Sequence, residues 1–233
     1  MSESCNHDCS SCGRECGKRK TAPDFSAPLN AASRVGRVVA VASGKGGVGK
    51  SLVATMLAVA ASKAGKRVGT LDADITGPSI PRSFGISCGT YRSDDGIEPA
   101  VSTAGIRVMS LNMLVENPSD PVVWRGPVIA GVVIVSSPQD LVEMIVSKSA
   151  RMAGMMHKPV LGLVENMSYL KCPDCGRRIS VFGDSHAEEL AKRFSIPRTV
   201  RLPLDPAFAA AVDAGAAETL DLPEFEEFAN SIC

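Results

Sequence analysis

Eight consecutive residues have types and spacing suited to holding phosphate. They read GKGGVGKS and run from Gly44 to Ser51. Glycines let backbone N–H groups turn toward phosphate oxygens without a Cβ in the way. Lys50 can reach the β- and γ-phosphates, and Ser51 offers a hydroxyl to Mg²⁺ at the positive end of a helix. We therefore predict a phosphate-binding loop composed of Gly44, Lys45, Gly46, Gly47, Val48, Gly49, Lys50 and Ser51.

Two carboxylates follow a predicted strand further along, in the phrase LDADITGPSIP. Asp72 and Asp74 are expected at the carboxyl end of that strand, where a parallel sheet faces its ligand crevice. They could hold Mg²⁺ through water or orient an attacking water. The alternative is a pair of aspartates that form the turn. Beside a phosphate loop, the functional interpretation is favoured.

The cysteines suggest metal chemistry. Of the eight in the chain, Cys172 and Cys175 form a CxxC pair, and four lie within the first sixteen residues: Cys5, Cys9, Cys12 and Cys16. Clustered cysteines in a cytoplasmic chain bind metal more often than they form disulfides. An iron–sulfur cluster typically takes four thiolates, so one CxxC needs a second copy, which a symmetric dimer provides. Zinc held by two CxxC motifs remains open on these residues alone.

Charge and hydropathy restrict the function further. Lys plus Arg and Asp plus Glu are both 25, so the formal net charge is zero, which argues against bulk electrostatic binding of nucleic acid. Met1 to Lys20 holds no apolar run, and the apolar stretches elsewhere are too short to span a bilayer. We expect a cytoplasmic protein that does not bind membranes.

Strands and helices alternate along the chain after a polar arm at residues 1–33. Short apolar runs predict strands at Val38–Ala42, Arg67–Leu71, Ile106–Leu111, Val132–Ser136, Pro159–Val164 and Thr199–Leu204, with helices between and after them. This order predicts an α/β fold over residues 34–233, with a mostly parallel sheet covered by helices on both faces. The crossover from Asn112 to Gly131 is irregular, because Pro118, Pro121 and Pro127 break any helix there.

Several phrases together resemble one family. The loop has a second lysine, Lys45, and in this it resembles the deviant phosphate loop of the class that includes MinD, ParA and the nitrogenase iron protein. The phrases LDADITGPSIP (71–81), WRGP (124–127), SSPQD (136–140), VENMSY (164–169) and CPDCG (172–176) look like those of the Mrp family of ATP-binding iron–sulfur cluster carriers. The resemblance implies a homodimer that binds ATP and Mg²⁺, carries a labile cluster and delivers it to apo iron–sulfur proteins. A MinD/ParA-like positioning ATPase, or a metal-binding module with a vestigial nucleotide site, is the alternative.

The resemblance also implies residue roles. Lys45 would reach the partner's nucleotide across the dimer, Asp74 would position water, and Asn166 would contact the adenine base. Cys172 and Cys175 would ligate one four-iron cluster shared by two chains. The cysteines of the arm, like those on some family members, could hold a second cluster, a zinc ion or no metal.

One family segment is absent. Members carry a strand ending in Asp-x-Pro-Pro-Gly-Thr-Gly-Asp between the WRGP and PQD phrases, whereas here WRGPVIAG runs directly into VVIVSSPQD at Gly131–Val132. About one β–α unit is therefore missing, at the irregular crossover. That strand would be central and would carry an aspartate that helps hold Mg²⁺. We expect nucleotide binding to be retained, whereas ATP turnover is left in doubt.

Overall fold

The computed structural model describes residues 34–74, 79–87, 91–93, 96–110, 113, 129–138 and 142–233. The Cys-rich arm at 1–33, the WRGP phrase and Gln139–Asp140 of the SSPQD phrase lie outside these ranges. The predictions that concern the arm, including metal binding by its four cysteines, therefore stay predictions.

The described residues form ten strands and six helices. In chain order the strands are β1 (Val39–Ala42), β2 (Gly69–Asp72), β3 (Tyr91–Ser93), β4 (Gly96–Glu98), β5 (Ala100–Val101), β6 (Arg107–Ser110), β7 (Gly131–Ser136), β8 (Val160–Lys171), β9 (Arg178–Ile179) and β10 (Thr199–Pro203). The helices are α1 (Lys50–Lys63), α2 (Ile80–Ser83), α3 (Val142–Met155), α4 (Ala187–Arg193), α5 (Pro206–Asp213) and α6 (Pro223–Ile232).

The main sheet is parallel, in the order β1-β7-β8-β10, and β9 adds an antiparallel partner at the far end of β8. All six residues of β7 are buried. Val133 and Val135 face α1 and α6 on one side, whereas Val132 and Ile134 face α3 and α4 on the other. A strand buried on both faces needs such a continuous apolar run. The predicted mostly parallel sheet with helices on both faces is confirmed.

A second, separate sheet contains β2, β6 and β5, with β2 and β6 parallel. Its core lies between α1, α2 and β6. Helix α1 touches both β1 and β2, so it bridges the two sheets. Within the described ranges, β1 pairs only with β7 and β2 pairs only with β6, so each of these strands has one edge without a described partner.

Most predicted elements are confirmed to within two or three residues, but β8 is longer than the predicted strand Pro159–Val164. It continues to Lys171 because Tyr169 still pairs with Pro203 of β10, and Leu170 and Lys171 pair with β9. The VENMSY phrase therefore lies within a strand rather than in a loop. The short elements α2, β3, β4, β5 and β9 were not predicted, because two to four residues carry too little periodicity.

Candidate nucleotide loop and cysteine hairpin

The phosphate loop connects the end of β1 to the start of α1. Gly47 and Gly49 have φ values of 75° and 88°, in the left-handed region that a side chain disfavours. Val48 is 2% exposed and anchors the loop in the main core, whereas Gly44 to Gly47 are exposed. The Ser43 hydroxyl donates to the Lys45 carbonyl over 2.6 Å. The loop is thus anchored through the buried Val48, and its exposed glycines lie just before the N-terminus of α1, where phosphate can bind.

Asn166 of β8 forms a hydrogen bond with the backbone of this loop. Its Nδ2 donates to the Val48 carbonyl over 3.0 Å, and the residue is 3% exposed. A Cβ on Gly49 would lie 2.3 Å from the same nitrogen, so only glycine fits there. The structure brings Asn166 to the loop and shows its amide bound to the loop backbone, a contact that the sequence analysis did not predict. The contact with adenine stays a prediction.

The first glycine of the motif has a packing reason of its own. A Cβ on Gly44 would lie 3.0 Å from the Ile145 carbonyl oxygen and 3.2 Å from its Cγ2. Helix α3 therefore approaches the loop closely at this position. Both motif glycines thus lie close to a neighbour from a distant part of the chain, Gly49 more tightly than Gly44.

Asp72 lies where the sequence predicted, at the end of β2, but its carboxylate is already engaged. It is 3% exposed and accepts backbone N–H groups from Asp74 at 3.1 Å, Ser79 at 2.8 Å and Ile80 at 2.9 Å. These bonds hold together the segment after β2 and the start of α2, as turn-forming aspartates do. Asp74 is exposed.

The CxxC pair lies at the tip of a β-hairpin made by β8 and β9. The Cys172 N–H donates to the Arg177 carbonyl, and the Gly176 N–H donates to the Cys172 carbonyl, both over 2.9 Å. Gly176 has a φ of 70°, which closes this tight turn. Both thiols are free, with Cys172 half-buried and Cys175 exposed. The turn therefore presents two sulfur atoms together at the end of the hairpin.

Backbone amides favour the thiolate form of Cys172. The Cys175 N–H, followed by the Asp174 N–H and the Cys175 side chain, lowers the pKa of the Cys172 thiol. Because the thiolate is the form that binds metal, this environment favours coordination. Within the described ranges, no group of three or more His, Cys, Asp or Glu side chains could hold a metal ion. The described part of one chain thus presents two thiols at this hairpin.

Strand β8 connects the loop and the hairpin. Asn166, which contacts the loop, lies within β8, and Cys172 follows its last residue directly. Between them is a buried polar network that the sequence analysis missed. Glu165 is 1% exposed, and its Oε2 accepts from the Ser168 hydroxyl over 2.5 Å. Arg201 Nε donates to Ser168 Oγ over 2.7 Å and lies 3.6 Å from Glu165 Oε2. Glu165 Oε1 has no hydrogen-bond partner among the residues that the structure describes.

Two aromatic contacts continue this network to the hairpin. The guanidinium carbon of Arg178, on β9, lies 4.4 Å from the centre of the Tyr169 ring, and that of Arg201 lies 5.9 Å away. Such cation–π contacts are favourable at these distances. Met167, between the two sites, has a φ of 57°, which is unusual for a non-glycine residue in a strand. Arg201, a charged residue inside the predicted strand Thr199–Leu204, was the signal that could have identified this network.

No helix in the described part of the chain is long and apolar enough to cross a membrane.

Comparison with protein families gives one match that covers most of the chain. The model described as "ParA: NUBPL iron-transfer P-loop NTPase" matches residues 34–133 and 128–232. The match comes as two segments that meet around residues 128–133, at the Gly131–Val132 junction.

Two curated relatives are similar over most of the chain. The iron–sulfur cluster carrier protein of Clostridium perfringens is 38% identical, covering 78% of this chain and 80% of the relative. The cytosolic Fe-S cluster assembly factor CFD1 of Chaetomium globosum is 34% identical, covering 78% and 79%. The first alignment is 231 positions long but spans 78% of the 233 residues here, or about 182 residues, so about 49 positions have no counterpart in this chain.

Among solved structures, a nucleotide-binding protein from Archaeoglobus fulgidus in complex with ADP matches with a TM-score of 0.73. It is 38% identical, covering 83% of this chain and 91% of that one. The cell division ATPase MinD of Pyrococcus furiosus has a TM-score of 0.60 at 18% identity, covering 85% and 98%, which establishes similarity of fold alone.

Proposed function

This chain belongs to the NUBPL iron-transfer P-loop NTPase family, and from that premise we propose that it is an ATP-dependent carrier or scaffold for a labile iron–sulfur cluster, which it transfers to apoproteins. One observation carries the proposal. Two free thiols, one of them with a lowered pKa, stand on the hairpin that extends the strand supporting the phosphate loop. Both relatives named above are described as iron–sulfur carrier or assembly proteins, which supports the same function here.

The cluster is cargo bound by Cys172 and Cys175. A four-iron cluster takes four thiolates, and the described hairpin offers two, so two chains would share one cluster in a homodimer. The N-terminal cysteines would hold a second cluster or a zinc ion on the arm. The recipients would be apo iron–sulfur proteins. The name of the cytosolic CFD1 relative supports a cytoplasmic location.

The loop would bind ATP through backbone N–H groups and Lys50. Lys45 would cross the dimer to the partner's nucleotide, where a cation stabilises charge on the γ-phosphate. Asn166 would contact adenine in addition to its hydrogen bond with the loop. Asp74, which is exposed two residues after β2, would position the attacking water.

A divalent cation fits this loop through Ser51, whose hydroxyl lies in the first turn of α1 beside the predicted phosphates. When bound, Mg²⁺ would neutralise phosphate charge. Asp72 would reach it only through water, since its two oxygens already accept three backbone N–H groups.

The chain would lack one central β–α unit between Gly131 and Val132. Three observations support this proposal: the one-sided pairing of β1 and β2, the two-segment family match, and the unmatched positions in the alignment with the carrier protein. The missing strand would lie between β1 and β2, beside α1, and would join the two sheets. Its aspartate would be absent too, so we propose that ATP binds while hydrolysis is slow.

The test is anaerobic purification and reconstitution with iron and sulfide, followed by iron, sulfide and zinc counts. We expect the wild-type protein to hold a cluster, and the Cys172→Ala/Cys175→Ala variant to lose one cluster per two chains. A variant with residues 1–33 deleted separates the arm from the hairpin. Full cluster content in the Cys172→Ala/Cys175→Ala variant that also lacks the arm would refute binding at this hairpin.

A further inference from the structure

Three exposed methionines lie together at the C-terminal end of α3. Met152, Met155 and Met156 are 52%, 83% and 47% exposed. The Met156 N–H donates to the Met152 carbonyl over 3.1 Å, so the helical turn continues through Met156. Residues three and four apart are neighbours on a helix surface, so both later methionines lie next to Met152. The buried residues of α3 are others: Val142, Ile145, Val146, Ser149 and Ala153.

His157 ends this turn in an unusual conformation. Its φ is 53°, in the left-handed region. Its N–H donates to the Gly154 carbonyl, and the Lys158 N–H donates to the Ala153 carbonyl, both over 2.9 Å. Glycine is the usual residue at such a helix end, because it has no Cβ to strain the backbone. Histidine costs conformational energy here, and it adds an exposed imidazole directly after the methionines.

We propose that Met152, Met155, Met156 and His157 form a binding site for a soft monovalent metal ion, Cu(I). Thioether sulfur is a ligand that selects Cu(I), and imidazole also suits copper, whereas Mg²⁺ and Ca²⁺ need oxygen ligands. The cluster of four residues is called here the methionine site. It goes beyond the proposed function, which uses none of these residues.

The charges near the methionine site favour a monovalent ion. Lys148 and Arg151 are exposed on the same helix, and residues 144–159 hold no carboxylate. Glu143, at the other end of α3, is paired with Arg193. Thioethers and a neutral imidazole offset none of the charge of a bound ion, and nearby cations repel a divalent ion more strongly than a monovalent one. The residues therefore fit Cu(I) better than Zn²⁺ or Cu(II).

The methionine site is separate from the phosphate loop and the cysteine hairpin. Its residues precede β8, whereas Cys172 follows the last residue of that strand. A strand of 12 residues spans roughly 40 Å at about 3.3 Å per residue. The methionine site and the thiols thus lie at opposite ends of β8, and failure of either assignment leaves the other intact.

The test uses the full-length protein with its thiols capped by N-ethylmaleimide, since thiolates would otherwise compete for a soft ion. The protein carries ¹³C in its methionine methyl groups and is titrated with silver nitrate in chloride-free buffer. Ag(I) is the probe because it shares the charge and ligand preference of Cu(I) and keeps its oxidation state. We expect the methyl signals of Met152, Met155 and Met156 to shift together and to saturate at one ion per chain.

Met144 is the internal control, because it lies on the same helix and is 45% exposed. Its signal should stay in place while the other three shift. The variant Met152→Leu/Met155→Leu keeps the apolar volume and the helix propensity but removes two sulfur atoms, and it should lose saturable binding. His157→Asn retains a residue that tolerates the left-handed conformation and should weaken binding by at least about tenfold. Anaerobic competition with bicinchoninate should give the same order of affinities for Cu(I).

Several results would overturn the methionine site. One is a Met144 signal that shifts at the same Ag(I) concentration as the other three, which would show adventitious binding to any exposed thioether. Another is wild-type affinity in the Met152→Leu/Met155→Leu variant, and a third is a titration without saturation. Uncapped protein titrated beyond the capacity of its eight thiols must show the same three signals shifting, so the result does not depend on capping.

Discussion

At the scale of single residues, the loop depends on contacts that its own motif does not reveal. The motif predicts glycine at positions 44 and 49 because phosphate must approach the backbone. The structure adds that a Cβ at position 49 would overlap Asn166, and that a Cβ at position 44 would be in tight contact with Ile145. Sequence alone could predict the loop and its residue types, but not these neighbours, since they come from about 100 residues further along the chain.

Lys50→Ala should weaken ATP binding by about 10- to 100-fold, because hydrogen bonds to charged groups contribute about 1.5–3 kcal/mol. The matched control is Lys66→Ala, which removes an exposed lysine after α1 and should leave affinity unchanged. Fluorescent-nucleotide titration of both variants measures this. Equal affinity in the Lys50→Ala variant and the wild-type protein would refute the assignment of the phosphate loop.

The cysteine turn makes a prediction about pH. Because backbone amides lower the pKa of Cys172, its thiolate should persist to lower pH than that of an ordinary cysteine. Burial raises the pKa of Cys233, whose thiolate should form only at higher pH. Alkylation by iodoacetamide, read by peptide mass spectrometry across a pH series, should show Cys172 reacting with a midpoint below that of Cys233. Coincident midpoints would contradict the proposed hydrogen bonding.

At the scale of elements, β8 is the strand that links the two sites. The sequence located its apolar start but ended it at Val164, because Glu165, Asn166 and Ser168 are polar and resemble a loop. Their burial depends on mutual hydrogen bonds and on Arg201 from the neighbouring β10. Such compensation is a property of tertiary structure, and local hydropathy could not have predicted it.

This network should be sensitive to the loss of one partner. Arg201→Met leaves Glu165 buried without its counter-charge, and we expect it to lower the free energy of unfolding by about 1–3 kcal/mol, since Arg201 itself is partly exposed. The double variant Arg201→Met/Glu165→Gln should recover part of that loss, because no buried charge is left unpaired. Urea unfolding measures all three proteins.

The control for this series is Arg198→Met, which removes an exposed arginine just before β10. It should stay within about 0.5 kcal/mol of the wild-type protein. If Arg201→Met is no more destabilising than Arg198→Met, the network does not contribute to the stability of the link between the sites.

At the scale of the whole molecule, the division into two sheets is the main departure from a continuous parallel sheet. The sequence predicted an irregularity at residues 112–131 from three prolines and from a missing family phrase. It could not predict how the flanking strands would pair, since pairing partners are set by the tertiary fold. In the structure β7 begins at Gly131 and aligns with β1, so the main sheet forms around the junction.

Inserting the family's strand with its Asp-x-Pro-Pro-Gly-Thr-Gly-Asp phrase between Gly131 and Val132 should raise both stability and turnover. The inserted strand would pair the edges of β1 and β2 that have no partner among the described residues, and its aspartate would help to hold Mg²⁺. We expect a higher melting temperature and ATP hydrolysis faster by on the order of 100-fold in a phosphate-release assay. An insertion with that aspartate changed to Asn is the control, which should regain stability without turnover.

Equal melting temperatures and equal turnover in the native and inserted proteins would show that the segment is dispensable. The absence of the β–α unit would then have no energetic or catalytic consequence in this chain.

The most direct test of the carrier function is cluster transfer. The loaded protein is mixed anaerobically with an apo-ferredoxin in the presence of an iron chelator, and loading of the acceptor is followed by circular dichroism. We expect the wild-type protein to load the acceptor and the Cys172→Ala/Cys175→Ala variant to leave it empty, because the chelator removes any free iron. An acceptor that stays empty with wild-type protein, or that fills equally well with the variant, would contradict delivery of a cluster from the Cys172–Cys175 hairpin.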